Sequence, residues 1–381
     1  MRVLHLFPRF RPDFAGDGIY FEKLWQPLVE AGGSHDVLVF TTPAPAPLPA
    51  VAPAGMRLVY LRRSEGESQR AVLLRYYFWL LRNIRRYSVI HSRTHIDRFF
   101  VSHVIARLFG AAMVYSATLD DTPPYILRTY RPNLWRFVGW AMRHLITRWV
   151  VLNRRLYDES AAFLGSDRVV IVPQGVALPA PTSETRAGLR AANGIPADAF
   201  VQLYVGSISR RKDVLFLIDN LAALSRGPRE HLLVILGPAL EPDYQAELEA
   251  RIAALDLADK VVFPGFRDDP APFYRLADAF VFASWLEGFP NVLAEAMAHG
   301  LPIVARRLEG VTDFVLADGQ TGLLFDTAAE YRNLLGHLER DPAGAARLAA
   351  QARAKAIADF AIDAVAWRYV ALYRALGERG A

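Results

Sequence analysis

Residues 283–300 read ASWLEGFPNVLAEAMAHG, and this stretch joins a short apolar segment to a helical pattern. The run Asp278–Ala283 has the continuous apolar character of a buried strand. Pro290 suits the first turn of a helix, where its missing N–H costs nothing, and Gly300 is typical of a helix end. We therefore predict a strand, a loop and a helix in that order, with Glu287 in the loop at the mouth of the helix.

Two carboxylates mark this junction. Glu295 follows Glu287 by eight residues and should lie just over one turn inside the helix. The helix mouth offers unpaired backbone N–H groups that suit an anion, and carboxylates suit sugar hydroxyls, so a nucleotide sugar would fit. Both residues could equally be solvated acids that favour the helix dipole, and the pair alone leaves the two interpretations open.

The whole composition limits the class of protein. The chain has 381 residues, 52% of them hydrophobic and 22% charged, which indicates a globular protein of about two domains. No apolar run reaches the roughly 18–20 residues of a membrane span. There is no cysteine, which excludes disulfides and thiolate zinc sites. The first eight residues lack the pattern of a signal peptide, so we expect a cytoplasmic protein.

Positive charge is concentrated in the first half. Residues 1–175 contain 23 Lys and Arg against 13 Asp and Glu, whereas residues 176–381 contain 21 against 26. Two stretches are both basic and aromatic, Arg57–Arg86 and Thr122–Tyr157. They suit an anionic membrane surface, which would make the protein peripheral on the cytoplasmic membrane. The alternative is that the aromatics are core and the arginines a solvated face. No recognised nucleic-acid module is present, so we predict no nucleic-acid partner.

Short apolar segments alternate with helical patterns along both halves. Such alternation predicts an α/β fold with two Rossmann-like domains, each a parallel sheet covered on both faces. Strands are predicted at 3–7, 37–41, 57–61, 88–91, 112–116, 149–152, 169–173, 200–205, 232–236, 261–264, 279–283 and 303–305. Helices are predicted at 19–31, 70–87, 98–109, 134–147, 213–225, 244–255, 271–277, 291–299 and in the tail 361–377. Residues 174–197 have little periodicity and are taken as the linker between the domains.

Two further turns of the second half follow predicted strands, at the edge of the sheet where ligands of α/β proteins bind. The first turn begins at Gly206 and ends with Arg211 and Lys212, just before the next predicted helix. Cations and helix N–H groups suit a diphosphate, although a solvated turn would read the same way. In the second turn, Gly265 and Phe266 could offer backbone groups and a ring face to a nucleobase, although such segments are usually plain turns.

Together these motifs resemble the retaining glycosyltransferases of family 4, which have the GT-B fold. The resemblance rests on the glycine turn ending in Lys212, the turn Phe263-Pro-Gly265 and the motif Glu287-Gly-Phe-Pro with Glu295 in register. It spans about residues 200–325. It implies two Rossmann-like domains that face each other across a cleft. The activity implied is transfer of a hexose-type sugar, from a UDP- or GDP-sugar to a saccharide or lipid-linked acceptor, in cell-surface polysaccharide synthesis.

The resemblance also implies a role for each matched residue. Glu287 would bind the transferred sugar and Glu295 the ribose. The diphosphate would meet Gly206, Arg211 and Lys212, and the base would lie near Gly265, Phe266 and Arg267. The amides of Gly288, Phe289, Pro290, Asn291 and Val292 would face the sugar and phosphates. Gly16 and Gly18 would lie near the phosphates in a glycine loop that could also be a plain turn. No metal and no cofactor is implied, since the nucleotide sugar is a co-substrate.

Two departures from the family pattern concern the reaction centre. Ser207 stands where these enzymes often have Arg, for which Arg210 or Arg211 could compensate. In the family, a His usually follows the strand that ends in this chain at Ser116. No His stands at that place in this sequence. Thr118, Asp120 or Asp121 could take its place, and Asp120 is our catalytic candidate beside Glu287, Lys212 and Arg211. The residues His91, Arg93 and His95 follow the preceding strand and could line the cleft, although a His at a strand end is more often structural.

We expect two domains. The first consists of residues 1–173 and the returning segment 360–381 and would bind the acceptor, and the second consists of residues 174–359 and would bind the donor. Two alternatives remain at the level of sequence. One is a nucleotide-sugar epimerase on the same fold. The other is a non-catalytic module that binds membranes or polyanions through its basic face, an alternative that Ser207 and the missing His keep open.

Overall fold

The computed structural model describes residues 1–7, 16–39, 57–61, 66–93, 100–117, 121–227 and 229–378. Contacts divide the chain into two compact units. Unit 1 comprises Met1–Gly175 and Ile362–Ala381, and unit 2 comprises Val176–Ala361. The chain therefore passes between the units twice, at each point two residues later than the expected boundary.

Unit 1 is built on a parallel sheet with seven strands among the described residues, in the order β3-β2-β1-β4-β5-β6-β7. Its strands are β1 Arg2–Phe7, β2 Ser34–Val39, β3 Arg57–Tyr60, β4 Val89–Ser92, β5 Ala112–Ser116, β6 Arg148–Val151 and β7 Val169–Ile171. Its first helices are α1 Gly16–Ala31, α2 Gln69–Asn83, α3 Val101–Leu108, α4 Pro123–Arg128, α5 Trp135–Leu145 and α6 Arg154–Leu164.

Unit 2 contains a parallel sheet whose six described strands have the order β10-β9-β8-β11-β12-β13. They are β8 Phe200–Val205, β9 His231–Leu236, β10 Val261–Gly265, β11 Ala279–Phe282, β12 Ile303–Arg306 and β13 Leu323–Phe325. The helices are α7 Arg186–Ala192, α8 Val214–Leu224, α9 Pro242–Ala254, α10 Ala271–Leu276, α11 Asn291–Ala298, α12 Thr312–Val315, α13 Ala328–Arg340 and α14 Pro342–Lys355.

The last helix, α15 Ile362–Gly377, belongs to unit 1. The alternating side chains of β1 explain why two faces need cover. Leu4 and Leu6 pack in one cluster with residues of α2 and α3, whereas Val3 and Phe7 pack in another with α1 and α15. Residues i and i+2 of a strand share one face. The tail helix therefore completes one of the two layers over the first sheet.

The predicted α/β class with two Rossmann-like parallel sheets is confirmed, but several local predictions were wrong, and helices α4, α6, α12, α13 and α14 were not predicted. The linker predicted at 174–197 contains α7, in which Leu189 is the one large apolar side chain, so the segment shows no helical period. Strand β13, Leu323–Phe325, was not predicted. Helix α1 begins at Gly16 rather than Ile19. Glycine there is tolerated because the first-turn N–H groups have no partner within the helix.

Candidate functional site

The site predicted in the second half assembles at the carboxyl ends of β8 and β11. These strands are neighbours in the sheet, with Ala279 opposite Gln202. The turn after β8 and the loop after β11 are therefore brought side by side. At their meeting point, Lys212 Nζ donates to Glu287 Oε1 at 2.5 Å.

Glu287 is the anchor of this meeting point, being only 6% exposed. Arg211 Nη1 lies 3.0 Å from the same carboxylate oxygen and also donates to the carbonyl of Leu286 at 2.5 Å. Hydrogen bonds between ionised partners are shorter and stronger than neutral ones. The residues predicted for the diphosphate and for the sugar are thus held in direct contact by one charge-assisted hydrogen bond and one ion pair.

Close backbone approach shapes the turn at Gly206. The Gly206 N–H donates to Leu236 O at 2.9 Å, and a Cβ on Gly237 would lie 2.0 Å from Gly206 O. Only glycine fits at position 237, because real Cβ atoms do not approach closer than 3.0 Å. Sequence analysis missed Gly237. Its signal is Leu236-Gly-Pro238 at the end of a strand, where a glycine lies beside a proline as Gly265 lies beside Pro264.

Tyr204 of β8 makes a hydrogen bond to the turn that follows its strand. Its hydroxyl donates to the carbonyl of Ser207 at 2.8 Å. Burial, followed by the nearby Glu287 carboxylate, raises the pKa of Tyr204, so the phenol remains a donor. Of the two arginines suggested to compensate for Ser207, Arg210 is committed elsewhere, to Glu247 at 2.7 Å. Arg211 is therefore the arginine of this turn that contacts Glu287.

Glu295 is the fifth residue of α11 and has a fixed partner. Tyr274 Oη donates to Glu295 Oε2 at 2.9 Å. Burial raises the pKa of Tyr274 well above its usual value, and the Glu295 carboxylate adds to the effect. The Tyr274 ring also stacks on His299, with centroids 4.8 Å apart. This contact orients one carboxylate oxygen of Glu295.

The loop at the mouth of α11 is well packed. Phe289 is 7% exposed and meets the ring of Phe360 edge-on, with centroids 5.6 Å apart. Its side chain therefore belongs to the core of unit 2. Pro290 is buried directly before the helix, and the N–H of Asn291 donates to Phe289 O at 3.0 Å. Gly288 is likewise buried, while Val292 is half-buried.

The turn predicted for the base is open. Gly265 has φ +75°, a left-handed conformation that favours glycine. Phe266 is 63% exposed, and the exposed Arg267 donates to its carbonyl at 3.3 Å. An exposed ring beside a glycine turn could stack on a planar base.

The candidates of the first half are less accessible or lie outside the described residues. Thr118, Asp120 and His95 lie outside them, as do residues 8–15 of the glycine loop. Gly16 and Gly18 form the first turn of α1.

His91 is fully buried, with its ring nitrogens 2.6 Å from Tyr373 Oη and Ser116 Oγ. Arg93 is also buried, with its guanidinium 5.0 Å from the ring centroid of Phe21. Both side chains therefore pack in the core of unit 1.

The basic stretches divide between core and surface. Tyr76 and Trp149 are fully buried, whereas Phe78, Trp135 and Trp140 are 66%, 42% and 49% exposed. In the described part of the chain, no helix is long and apolar enough to cross a membrane. Across the same residues, no three His, Asp or Glu side chains are grouped as metal ligands would be.

Comparison with known proteins gives two family matches. Residues 199–341 match the family described as glycosyl transferases group 1, and residues 15–175 match the glycosyl transferase 4-like domain. The D-inositol 3-phosphate glycosyltransferase of Acidothermus cellulolyticus is 32% identical over 316 residues, which are 80% of this chain and 67% of that protein. The enzyme of the same name from an Arthrobacter strain is 32% identical over 68% of this chain, which spans only 63% of its length.

Among solved structures, HepE of Anabaena in complex with UDP has a TM-score of 0.79 at 19% identity, covering 98% of this chain and all of that one. A second crystal structure of HepE is a complex with UDP-glucose. At this identity the likeness supports the fold alone.

Proposed function

The chain belongs to the group 1 glycosyl transferases, and we propose that it moves a hexose-type sugar from a UDP- or GDP-sugar to a saccharide or lipid-linked acceptor. The observation that carries the proposal is the contact of Lys212 and Arg211 with the buried carboxylate of Glu287. Cations that lie directly beside a hydroxyl-binding carboxylate match a ligand in which phosphate and sugar are adjoining groups. The HepE complexes with UDP and UDP-glucose favour UDP between the two nucleotides.

The chemical step we propose breaks the bond between the anomeric carbon and the diphosphate oxygen. Negative charge then develops on the departing phosphate. Lys212 and Arg211 stabilise that charge, because preorganised charges are worth most where charge develops in the transition state. Glu287 holds sugar hydroxyls and Glu295 holds the ribose. The hydrogen bond from Tyr274 fixes the orientation of the Glu295 carboxylate.

Retention requires that the acceptor oxygen bonds to the same face that the phosphate leaves. We propose that the departing phosphate oxygen receives the acceptor proton. Two cations on one turn supply positive charge of the kind that a metal ion supplies in other transferases, so the proposed reaction needs no metal. Unit 2 would bind the donor and unit 1 would bind the acceptor. Asp120 of unit 1 is the candidate for a catalytic contact with the reacting sugar.

The donor proposal predicts a thermal shift. UDP or GDP at about 100 times its Kd should stabilise a folded unit by about 2.7 kcal/mol, which corresponds to about 5 °C or more for a unit of this size. Differential scanning fluorimetry with UDP, GDP, their glucose and mannose derivatives, and uridine would measure it. Uridine is the matched control, because it lacks the diphosphate that Lys212 and Arg211 would hold.

A melting temperature that no nucleotide diphosphate raises would contradict the donor proposal. Where a sugar donor does bind, the anomeric configuration of the product follows from proton NMR of the transfer reaction. Inversion of configuration would exclude the retaining step, and loss of turnover in EDTA would exclude the metal-independent one.

We further propose that the protein works in the cytoplasm, with unit 1 in contact with an anionic membrane. Leu74, Phe78 and Leu81 lie on one face of α2 at helical spacing and are 68%, 66% and 48% exposed. Exposed arginines flank them, including Arg82 and Arg85. An apolar face rimmed by cations suits insertion among anionic headgroups. A lipid-linked acceptor would be met at such a surface.

Vesicle sedimentation tests this contact. The protein should bind vesicles that contain phosphatidylglycerol more strongly than pure phosphatidylcholine vesicles, and salt should weaken the binding. Leu74→Ser should reduce the bound fraction several-fold. Leu240→Ser is the control, because Leu240 is equally exposed at 65% but lies in unit 2. Equal losses in the two variants, or equal binding to both vesicles, would refute the contact.

A further inference from the structure

Asp213, directly after Lys212, has a backbone conformation that few residues other than glycine, asparagine and aspartate adopt. Its φ is +53° and its ψ is +48°, in the left-handed region. This region costs most residues other than glycine roughly 1–2 kcal/mol, and aspartate and asparagine tolerate it best where a side-chain contact supports them. Such strain persists only where surrounding contacts hold the residue in place. The contact that holds Asp213 comes from Arg306, the last residue of β12, whose Nη2 lies 2.8 Å from Asp213 Oδ2.

Arg306 is buried in an unusual way for an arginine. Its side chain is 6% exposed, and its guanidinium lies 3.5 Å from the ring centroid of Trp285 and 4.7 Å from that of Phe216. Nη1 of Arg306 is buried without a hydrogen-bond partner among the described residues. An unsatisfied buried donor is costly, and a buried ion pair is weak evidence of a stabilising role. The arrangement therefore needs a reason other than the stability of unit 2.

Trp285 connects this ion pair to the other end of the same turn. Its backbone N–H donates to Arg211 O at 3.0 Å, and its ring covers Arg306 while remaining 62% exposed itself. The turn that carries Lys212 is thus fixed at Arg211 by the backbone of Trp285 and at Asp213 by Arg306. Between these two fixed points, Lys212 reaches Glu287 at 2.5 Å.

We propose that Arg306 is a positioning residue, which acts through Asp213 to hold Lys212 against Glu287 in the geometry needed for sugar transfer. The proposal rests on the proposed function of Lys212 in the reaction. It has an electrostatic side as well, because Arg306 pairs with a carboxylate that would otherwise carry an unpaired charge one residue from Lys212. With Asp213 paired to Arg306, Lys212 is left to pair with Glu287 and with the donor.

The variant Asp213→Asn tests this directly. Asparagine tolerates the left-handed conformation and keeps the shape, but it lacks the charge that pairs with Arg306. We expect kcat to fall roughly 10- to 100-fold, because displacement of a catalytic group by about 1 Å has an effect of that size. KM should change less than about threefold, since Glu287 and Glu295 still hold the donor. Arg306→Met should have the same effect, and Arg306→Lys should recover part of the activity.

A second measurement is independent of turnover. The chain has four lysines, so selective ¹³C labelling gives four Cε signals, and a Lys212→Arg variant assigns the one of interest. In Asp213→Asn and Arg306→Met the Lys212 signal should shift, whereas those of Lys23, Lys260 and Lys355 should not. The control is Asp219→Asn on α8, where the carboxylate pairs with the exposed Arg251 at 2.6 Å. It should leave both the signal and kcat unchanged.

An unmoved Lys212 signal in folded Asp213→Asn overturns the proposal, and so does a normal kcat beside a moved signal. If Arg306→Met fails to fold, Asp213→Asn still decides the matter. If the unaltered protein binds no nucleotide sugar, the proposed function is wrong, while the Lys212 signal continues to test whether Arg306 positions that side chain.

Discussion

Replacing Lys212 by Ala is expected to lower kcat/KM for sugar transfer by at least about 100-fold, the usual effect of removing one preorganised stabiliser of transition-state charge. Glu287→Ala should cost a similar factor, because the sugar loses its carboxylate partner and the two cations lose their anchor. The measurement is initial transfer rate against donor concentration, with circular dichroism to show that each variant is folded.

The two variants need different controls. Lys260→Ala removes a lysine elsewhere in unit 2, and Glu247→Ala removes a carboxylate whose partner Arg210 is exposed. Both should retain nearly full activity. Lys212→Ala should fold, because Arg211 remains 3.0 Å from Glu287 and keeps that carboxylate paired. Full activity in Lys212→Ala and Glu287→Ala would eliminate the site assignment.

A large loss of stability is expected when the pH falls below 6.5, because three histidines are buried together in unit 1. His5, His35 and His91 lie on the adjacent strands β1, β2 and β4, beneath Tyr369 and Tyr373 of α15. Burial lowers the pKa of all three. His35 falls to about 4, and His5 and His91 fall well below 6.5, with His35 and the Arg93 cation adding to the effect on both. The backbone hydrogen bond with Gly32, and then the Asp36 carboxylate, act in the opposite direction on the pKa of His35.

The direction in which stability changes with pH follows from how many protons the unfolded and folded states bind. In the unfolded chain these histidines bind protons near pH 6.5, whereas in the folded protein the lowered pKa values keep His35 neutral down to about pH 4 and keep His5 and His91 neutral well below pH 6.5. The stability is therefore complete above pH 6.5 and is lost as the pH falls from there towards 4. For His35 alone the loss is about 3 kcal/mol, at about 1.4 kcal/mol per pKa unit.

Urea unfolding at pH 7.5, 6.5, 5.5 and 4.5 measures this loss. With all three histidines taking up protons on unfolding, the slope should approach about 4 kcal/mol per pH unit between pH 6 and 5. In His35→Gln, compared with the unaltered chain, one proton fewer is involved and the slope should be smaller by about 1.4 kcal/mol per pH unit. Equal slopes for the two proteins, or stability that does not change from pH 7 to 5, would show that the cluster does not titrate as argued.

Local patterns predicted most of the sheet, because parallel strands covered on both faces give continuous apolar runs. Ala112–Ser116 and Phe200–Val205 were predicted to the residue. The same logic placed Lys212 and Glu287 at one sheet edge, since both follow strands that point the same way. Their direct contact needed the structure, because no sequence pattern shows that β8 and β11 are neighbours.

Other features lay beyond local patterns. Arg306 and Asp213 are 93 positions apart, and nothing near either residue indicates a partner. In the basic stretch of α2, Tyr76 and Phe78 are both aromatic and only two positions apart, yet one is buried and the other two-thirds exposed. Helical geometry points such neighbours in different directions, but composition alone does not tell which direction is the core.

The return of α15 to unit 1 has a consequence for the order of events during synthesis. Val365, Tyr369 and Tyr373 fill the layer over Val3 and Phe7, but the ribosome adds them some 190 positions after Gly175, the last residue of the first segment. Until they emerge, one apolar face of the nascent first sheet has no α15 to cover it. Unit 2 is continuous in the chain and can fold during that interval. The nascent polypeptide should therefore bind chaperones through its earliest strands and release them only after α15 has been synthesised.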